Sequence, residues 1–301
     1  MMSPFPAYSR RRFLALSASL GIGGLLAACG GSSSPTSSGT VEGISGTLQL
    51  VKRFPNTGLV AGLIRLPISL ADSTGILSTG GKATLPQTLT AKITDTSSGE
   101  VVIASVAAEK HDKNMSTAYW PFIFDIPKTG IYTLALDIAP NSEMSFQVEE
   151  RTNVMWPLVG DPLPPYDTPT TDNARGVDPI CTRPQGTCPF HTVTLTEALK
   201  SGKPVVYFIG TPAYCQTGTC APGLDALIQV SQTVGDAAFF VHADVYTDKT
   251  ATITAPAIQA YNLTYEPVLY VTDAKGVLVN RLDAVFDVTE MRSALAAAGI
   301  S

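Results

Sequence analysis

From residue 46 to about 150, apolar and polar positions alternate with the two-residue period of a strand. The runs 47–51, 88–94 and 131–138 alternate cleanly, while 59–66 is apolar but for Arg65 and 119–124 is aromatic. Residues 101–106 and 144–148 add two more, and the polar turn 95–100 separates two of the runs. About seven short strands between turn signals predict a β-sandwich. Beyond residue 190 the pattern changes. Thr194 and Glu197 form a capping box for a short helix that stops at Gly202 and Pro204. A strand over 204–209, a helix over 221–233, a strand over 237–243 and a helix near 255–261 follow. Strands at 268–272 and 277–281 flank the turn 273–276. A last helix takes Asp287 as N-cap and Glu290 at its third position, with Phe286 and Met291 placed to staple it. From the first long strand the order is βαβαββα. The stretch 151–178 is Pro-rich and predicts a stiff, extended linker with Trp156 as its anchor.

The N-terminus reads differently. An Arg-rich start is followed by a short, small-residue apolar run from Ala15 to Ala28, then Leu26-Ala-Ala-Cys29. Residues 1–28 thus read as an export signal. The Arg residues followed by Phe-Leu resemble a twin-arginine signal, and Leu-Ala-Ala-Cys resembles a bacterial lipobox. The resemblance implies a lipid on Cys29, a flexible tether over 29–45, and an extracytoplasmic protein held at a bacterial membrane surface. A chain of 301 residues accommodates two domains, here 46–150 and 179–301 joined by 151–178. A net charge of -5 and no basic stripe argue against nucleic acid as a partner. Setting Cys29 aside leaves Cys181, Cys188, Cys215 and Cys220. In an oxidising compartment an even number fits disulfides, and local pairing is the simplest of three connectivities.

The candidate chemistry lies between the strand 204–209 and the helix after it. A thiolate at a helix N-terminus is stabilised by exposed N–H groups and the positive end of the helix dipole. Positions five apart on a regular helix point roughly 140° away from each other. The two sulfurs therefore meet only if Cys215 precedes the helix, with Gly218 easing the turn, and Cys220 lies in its first turn.

The order of elements resembles the thioredoxin fold over about 190–300. The residues carrying the resemblance are Lys203-Pro-Val-Val-Tyr-Phe, Ala221-Pro-Gly-Leu-Asp225, Tyr265-Glu-Pro-Val-Leu-Tyr-Val271 and Gly276-Val-Leu-Val. Among extracytoplasmic members it is most similar to the TlpA-like and peroxiredoxin-related group. Gly130-Ile-Tyr-Thr-Leu134 resembles the tyrosine-corner strand of immunoglobulin-like domains. The expected fold is therefore an all-β immunoglobulin-like sandwich followed by an α/β thioredoxin-like domain. The resemblance implies thiol–disulfide exchange on exported proteins, with Cys215 in the nucleophile's position and Cys220 in the resolver's, with no cofactor, and a cis Pro267 that sets the Glu266 backbone beside the sulfurs. The chain departs from the family where a buried strand carboxylate is replaced by Ile209 and the usual Trp by Tyr214. The Thr and Pro positions of a peroxidatic cysteine are not both met from either Cys215 or Cys220. A structural clip is the expectation for Cys181 and Cys188. Two alternatives stay open: a binding module braced by its disulfides, and copper handling like the SCO group with His242. His191 could join Cys181 and Cys188, but that set has no fourth ligand evident in the sequence, which argues against zinc; soft thiolates with imidazole would suit Cu(I), and no metal site is assigned.

Overall fold

The computed structural model describes residues 41–300. The export signal and the lipidation at Cys29 lie outside the described residues, as does the tether up to residue 40. Residues 41–45, expected to end the tether, belong to the fold: Val41 is buried, and Ser45 N–H donates to Asp72 Oδ2 at 2.7 Å.

Nine strands make up the N-terminal half: β1 (Gln49–Lys52), β2 (Leu59–Val60), β3 (Gly62–Asp72), β4 (Gly75–Ile76), β5 (Thr88–Asp95), β6 (Val101–Glu109), β7 (Trp120–Ile126), β8 (Gly130–Leu136) and β9 (Ala139–Glu149). One sheet runs β1-β3-β4, with β7 also paired to β3. The other runs β2-β9-β8-β5-β6. Their inward residues share one core. Ile64, Leu66, Ile68 and Leu70 of β3 and Trp120, Phe122 and Phe124 of β7 meet Leu89, Ala91 and Ile93 of β5 and Leu134, Phe146 and Val148 of β8 and β9. In β5 and β9 these alternate with less buried neighbours, as a pleated strand requires, whereas the second half of β3 is buried on both faces. Burying each such large side chain contributes roughly 1.5–3 kcal/mol, so this core dominates the stability of the half. β3 runs past the expected 59–66 because Pro67 lies opposite Pro121 in the β7 register, two residues that have no N–H to leave unpaired. The Tyr132 hydroxyl donates to the Lys128 carbonyl at 2.9 Å.

The linker does not stand free. Gly160 N–H and Leu163 N–H donate to the carbonyls of Leu278 and Gly276. Trp156 is buried, edge-on to the Tyr265 ring, with the Arg281 guanidinium 5.3 Å from its own ring centroid. After α1 (Leu195–Lys200), whose capping box is formed by Thr194 and Glu197, come β10 (Val205–Ile209), α2 (Cys220–Val234), β11 (Phe239–Ala243), α3 (Pro256–Ala260), β12 (Val268–Thr272), β13 (Leu278–Asp283) and α4 (Val288–Ala297). The third sheet has the order β11-β10-β12-β13. Only β10 and β11 are parallel in it. β10 is buried on both faces: Val205, Tyr207 and Ile209 join Leu195, Ala257 and Tyr261, while Val206 and Phe208 join Leu224, Leu227, Met291 and Leu295.

The fold class expected from the sequence, an immunoglobulin-like sandwich followed by a thioredoxin-like α/β domain, is corrected. The molecule is mostly β, 35% strand against 16% helix, arranged in several sheets. Among the described residues there are four α-helices, and α1 and α3 have only six and five residues. The physical reason lies in the segments between strands. Residues 154–194 and 244–255 carry Pro, Gly and β-branched residues and form no helix. The helix that remains, 16% of the molecule, is too little to make an α/β molecule.

The halves are joined by a buried polar cluster. The Arg65 guanidinium of β3 donates through Nε and one terminal nitrogen to the two oxygens of Glu290 in α4, at 2.7 and 2.6 Å. It also reaches the carbonyls of Asp283 and Val285. The buried Tyr119 hydroxyl donates to Glu290 Oε2 at 2.7 Å. His111 Nδ1 pairs with Asp287 Oδ2 at 2.8 Å.

Candidate functional site

β10 ends at Ile209, and Gly210 begins the loop that carries Cys215. A Cβ on Gly210 would stand 2.7 Å from the Phe208 ring and 3.2 Å from Pro267, so a side chain there would push the loop off the sheet. The backbone then turns twice: Cys215 N–H donates to the Thr211 carbonyl, and Gly218 N–H to that of Cys215. Gly218 takes φ +67° with open space around it. Thr219 is the N-cap of α2 and Cys220 its first residue.

Cys215 is half-buried and Cys220 fully buried. Both are free thiols, and their sulfurs stand 2.6 Å apart, with the Cys220 thiol donating to Cys215 Sγ. The helix mouth faces Cys215: the Cys220 N–H is 3.4 Å from its sulfur and the Thr217 hydroxyl 3.2 Å. The Cys220 thiol, by hydrogen bonding to it, together with Thr217 and the backbone N–H groups, outweighs burial and lowers the Cys215 pKa to about 5. Burial first, then the hydrogen bond and charge of Cys215 and the charge of Glu266, push the Cys220 thiol up. Arg53, on the loop after β1, lies close enough to feel the Cys215 charge.

Glu266 is the residue that sequence reasoning missed. The strand before the loop carries Ile209 where the resembled family has a buried acid. The structure brings the carboxylate from the start of β12 instead: Cys220 Sγ lies 3.3 Å from Glu266 Oε2, and Thr211 N–H donates to the same oxygen at 2.6 Å. Burial, then the Cys215 charge, raises its pKa to about 8. Its position directly before Pro267 was on view in the sequence. The Glu266–Pro267 peptide is cis, and Pro267 is buried against Gly210.

His242 does not join Cys215 and Cys220. The third ligand-capable group beside that pair is Glu266, so the copper arrangement considered from the sequence is not assembled. His242 lies instead with Cys181, Cys188 and His191, and these four place their ligand atoms within 4.8 Å of one another. Cys181 and Cys188, expected as a clip, are buried and stand here as free thiols. This second cluster touches the first loop. Thr182 Oγ1 lies 3.2 Å from the Thr211 hydroxyl, accepts from Ala213 N–H and donates to Asp244. Compared with known protein families and with curated proteins, the chain matches none, and its chemistry rests on the geometry of these two cysteine clusters.

Proposed function

We propose that this chain carries out thiol–disulfide exchange on exported proteins at a membrane surface, held there by a lipid on Cys29. One observation carries the chemistry: a half-buried Cys215 sulfur at the mouth of α2, 2.6 Å from a buried Cys220 that is itself 3.3 Å from a carboxylate. The Cys215 thiolate attacks one sulfur of a client disulfide. A Cys215–client bond forms, the client S–S bond breaks, and the other client sulfur leaves as a thiolate. Cys215 has then lost its charge, which removes one of the causes of the raised Glu266 pKa. Glu266, which starts protonated beside the thiolate, now gives its own proton to solvent; as a carboxylate it takes the Cys220 proton, and the Cys220 thiolate attacks Cys215 Sγ. The Cys215–Cys220 disulfide forms and the second client thiolate leaves; the client is reduced by two electrons and the pair oxidised by two. Run backwards, the same steps oxidise a client.

The test is turnover of a protein disulfide such as that of insulin. Cys215→Ser abolishes turnover. Cys220→Ser accumulates a mixed disulfide with the client that gel shift under non-reducing conditions reveals. Unchanged turnover in Cys215→Ser overturns the reading, as does a Cys220→Ser protein that traps nothing.

A further inference from the structure

The cluster of Cys181, Cys188, His191 and His242 has a construction that a pair of reduced thiols does not need. All four side chains are at most 5% exposed. His191 Nδ1 lies 3.2 Å from the Pro169 carbonyl, and His242 Nε2 lies 3.0 Å from the Gly210 carbonyl. A carbonyl oxygen only accepts, so in each ring the nitrogen facing it carries the proton. In a neutral imidazole the other nitrogen is then bare. Those two bare nitrogens, His191 Nε2 and His242 Nδ1, face each other at 3.0 Å, and Cys188 Sγ is 3.4 Å from the second. Two opposed lone pairs in a dry interior repel unless a positive charge lies between them. Backbone carbonyls that fix the far N–H of each histidine are the outer hydrogen bonds by which metal-binding imidazoles are oriented.

The spacing fits a cation. A tetrahedral zinc lies about 2.3 Å from sulfur and about 2.0–2.1 Å from nitrogen, which sets its ligands roughly 3.3–3.8 Å apart. The separations of 3.0 Å between the two imidazole nitrogens and 3.4 Å from His242 Nδ1 to Cys188 Sγ are within a few tenths of that range. Four protein ligands with no exposed face leave no position for substrate, which is the signature of a structural site.

We infer that Cys181, Cys188, His191 and His242 form a closed tetrahedral site for one zinc ion. The sequence held three of these ligands within eleven residues; the fourth comes from the end of β11, which only the fold brings alongside. The site braces the loop of the first cysteine pair. His242 holds Gly210, and Thr182, next to Cys181, holds Thr211 and Ala213. Arg183 in the same loop pairs with Asp225 of α2 at 2.7 Å. The inference stands on its own geometry and does not require exchange chemistry at Cys215.

The test is cobalt titration of the reduced, metal-stripped chain, followed by zinc competition. Expected are the intense visible bands of tetrahedral Co2+ and a thiolate charge-transfer band, saturating at about one ion per chain and displaced by Zn2+. The signal persists in Cys215→Ser and Cys220→Ser and is lost in Cys188→Ser and His191→Gln. Because the spectrum of the unaltered chain already reports ligand type and geometry, the result does not depend on whether the ligand variants fold. Four results overturn the inference: no tetrahedral spectrum in the unaltered chain, a signal that disappears with Cys215→Ser, binding of Cu(I) with none of Co2+ or Zn2+, or peptide mapping that finds Cys181 and Cys188 joined as a disulfide in the protein as isolated.

Discussion

At the scale of single residues, two opposed titrations meet beside the helix mouth. Cys215 is held down at about 5 and Glu266 up at about 8. A depressed thiol contributes stability above its unfolded pKa of about 8.5, and that contribution is lost as pH falls toward 5. A raised carboxyl works the other way: the folded protein binds its proton more tightly, so stability falls as pH rises from about 4.3 to 8. In the reduced protein the two slopes oppose each other over most of one window. Glu266→Gln removes the falling one. Its urea midpoint should therefore rise more steeply between pH 5 and 8 than that of the unaltered protein, while alkylation of Cys215 by iodoacetamide keeps a midpoint near pH 5. Equal slopes in the two proteins would remove Glu266 from the proton path. Cys215 and Cys220 were legible because their chemistry follows from local order: a strand, a Gly-bearing loop, a helix start. Glu266 and His242 were not, because a residue 46 positions along, or one at the end of a neighbouring strand, becomes a partner only through strand pairing.

At the scale of elements, the start of α4 does two jobs. Asp287 Oδ1 accepts from the N–H groups of Thr289 and Glu290, capping the helix, while Oδ2 takes His111. Burial pulls the His111 pKa down, but the hydrogen bond and charge of Asp287 outweigh it and the net shift is upward. The pair therefore contributes in full below the unfolded histidine pKa of about 6.5 and is lost as pH rises through the folded value. Asp287→Ala should cost about 2–4 kcal/mol at pH 6, combining a lost cap with a lost charged hydrogen bond. In paired denaturant titrations the gap between variant and unaltered protein should narrow as pH rises past the folded His111 value. A gap independent of pH would assign the whole cost to the cap. The cap itself was legible from Asp287 and the turn of helix behind it. The role of Glu290 was not: its third-position carboxylate is expected to reach back to the cap, yet it reaches across to Arg65 and Tyr119. The period-2 runs likewise marked where strands occur. They carried no information on how little helix the loops between them would form, which is why an α/β half was expected in a mostly β molecule.

At the scale of the whole molecule, Arg65 and Glu290 decide whether the N-terminal sheets and the sheet beneath Cys215 unfold together. Their side chains are 14% and 9% exposed, so each charge depends on the other for the solvation that water no longer supplies. Arg65→Ala leaves Glu290 with only the Tyr119 hydroxyl and should cost about 3–5 kcal/mol. Replacing both residues with apolar groups of similar size should recover much of that loss, because the cost lies in stranding one charge rather than in removing the pair. The N-terminal core and the third sheet have separate hydrophobic interiors. Loss of the clasp should therefore turn one denaturant transition, followed by fluorescence and circular dichroism, into two that do not coincide. The consequence extends to the thiol. Arg53 belongs to the N-terminal half and feels the Cys215 charge only while the halves are docked. Arg65→Ala should raise the alkylation midpoint of Cys215, since a nearby cation favours the thiolate. An unchanged midpoint alongside separated transitions would show that the helix mouth and the Cys220 thiol alone hold Cys215 down, and that the sheets serve clients or partners rather than the chemistry.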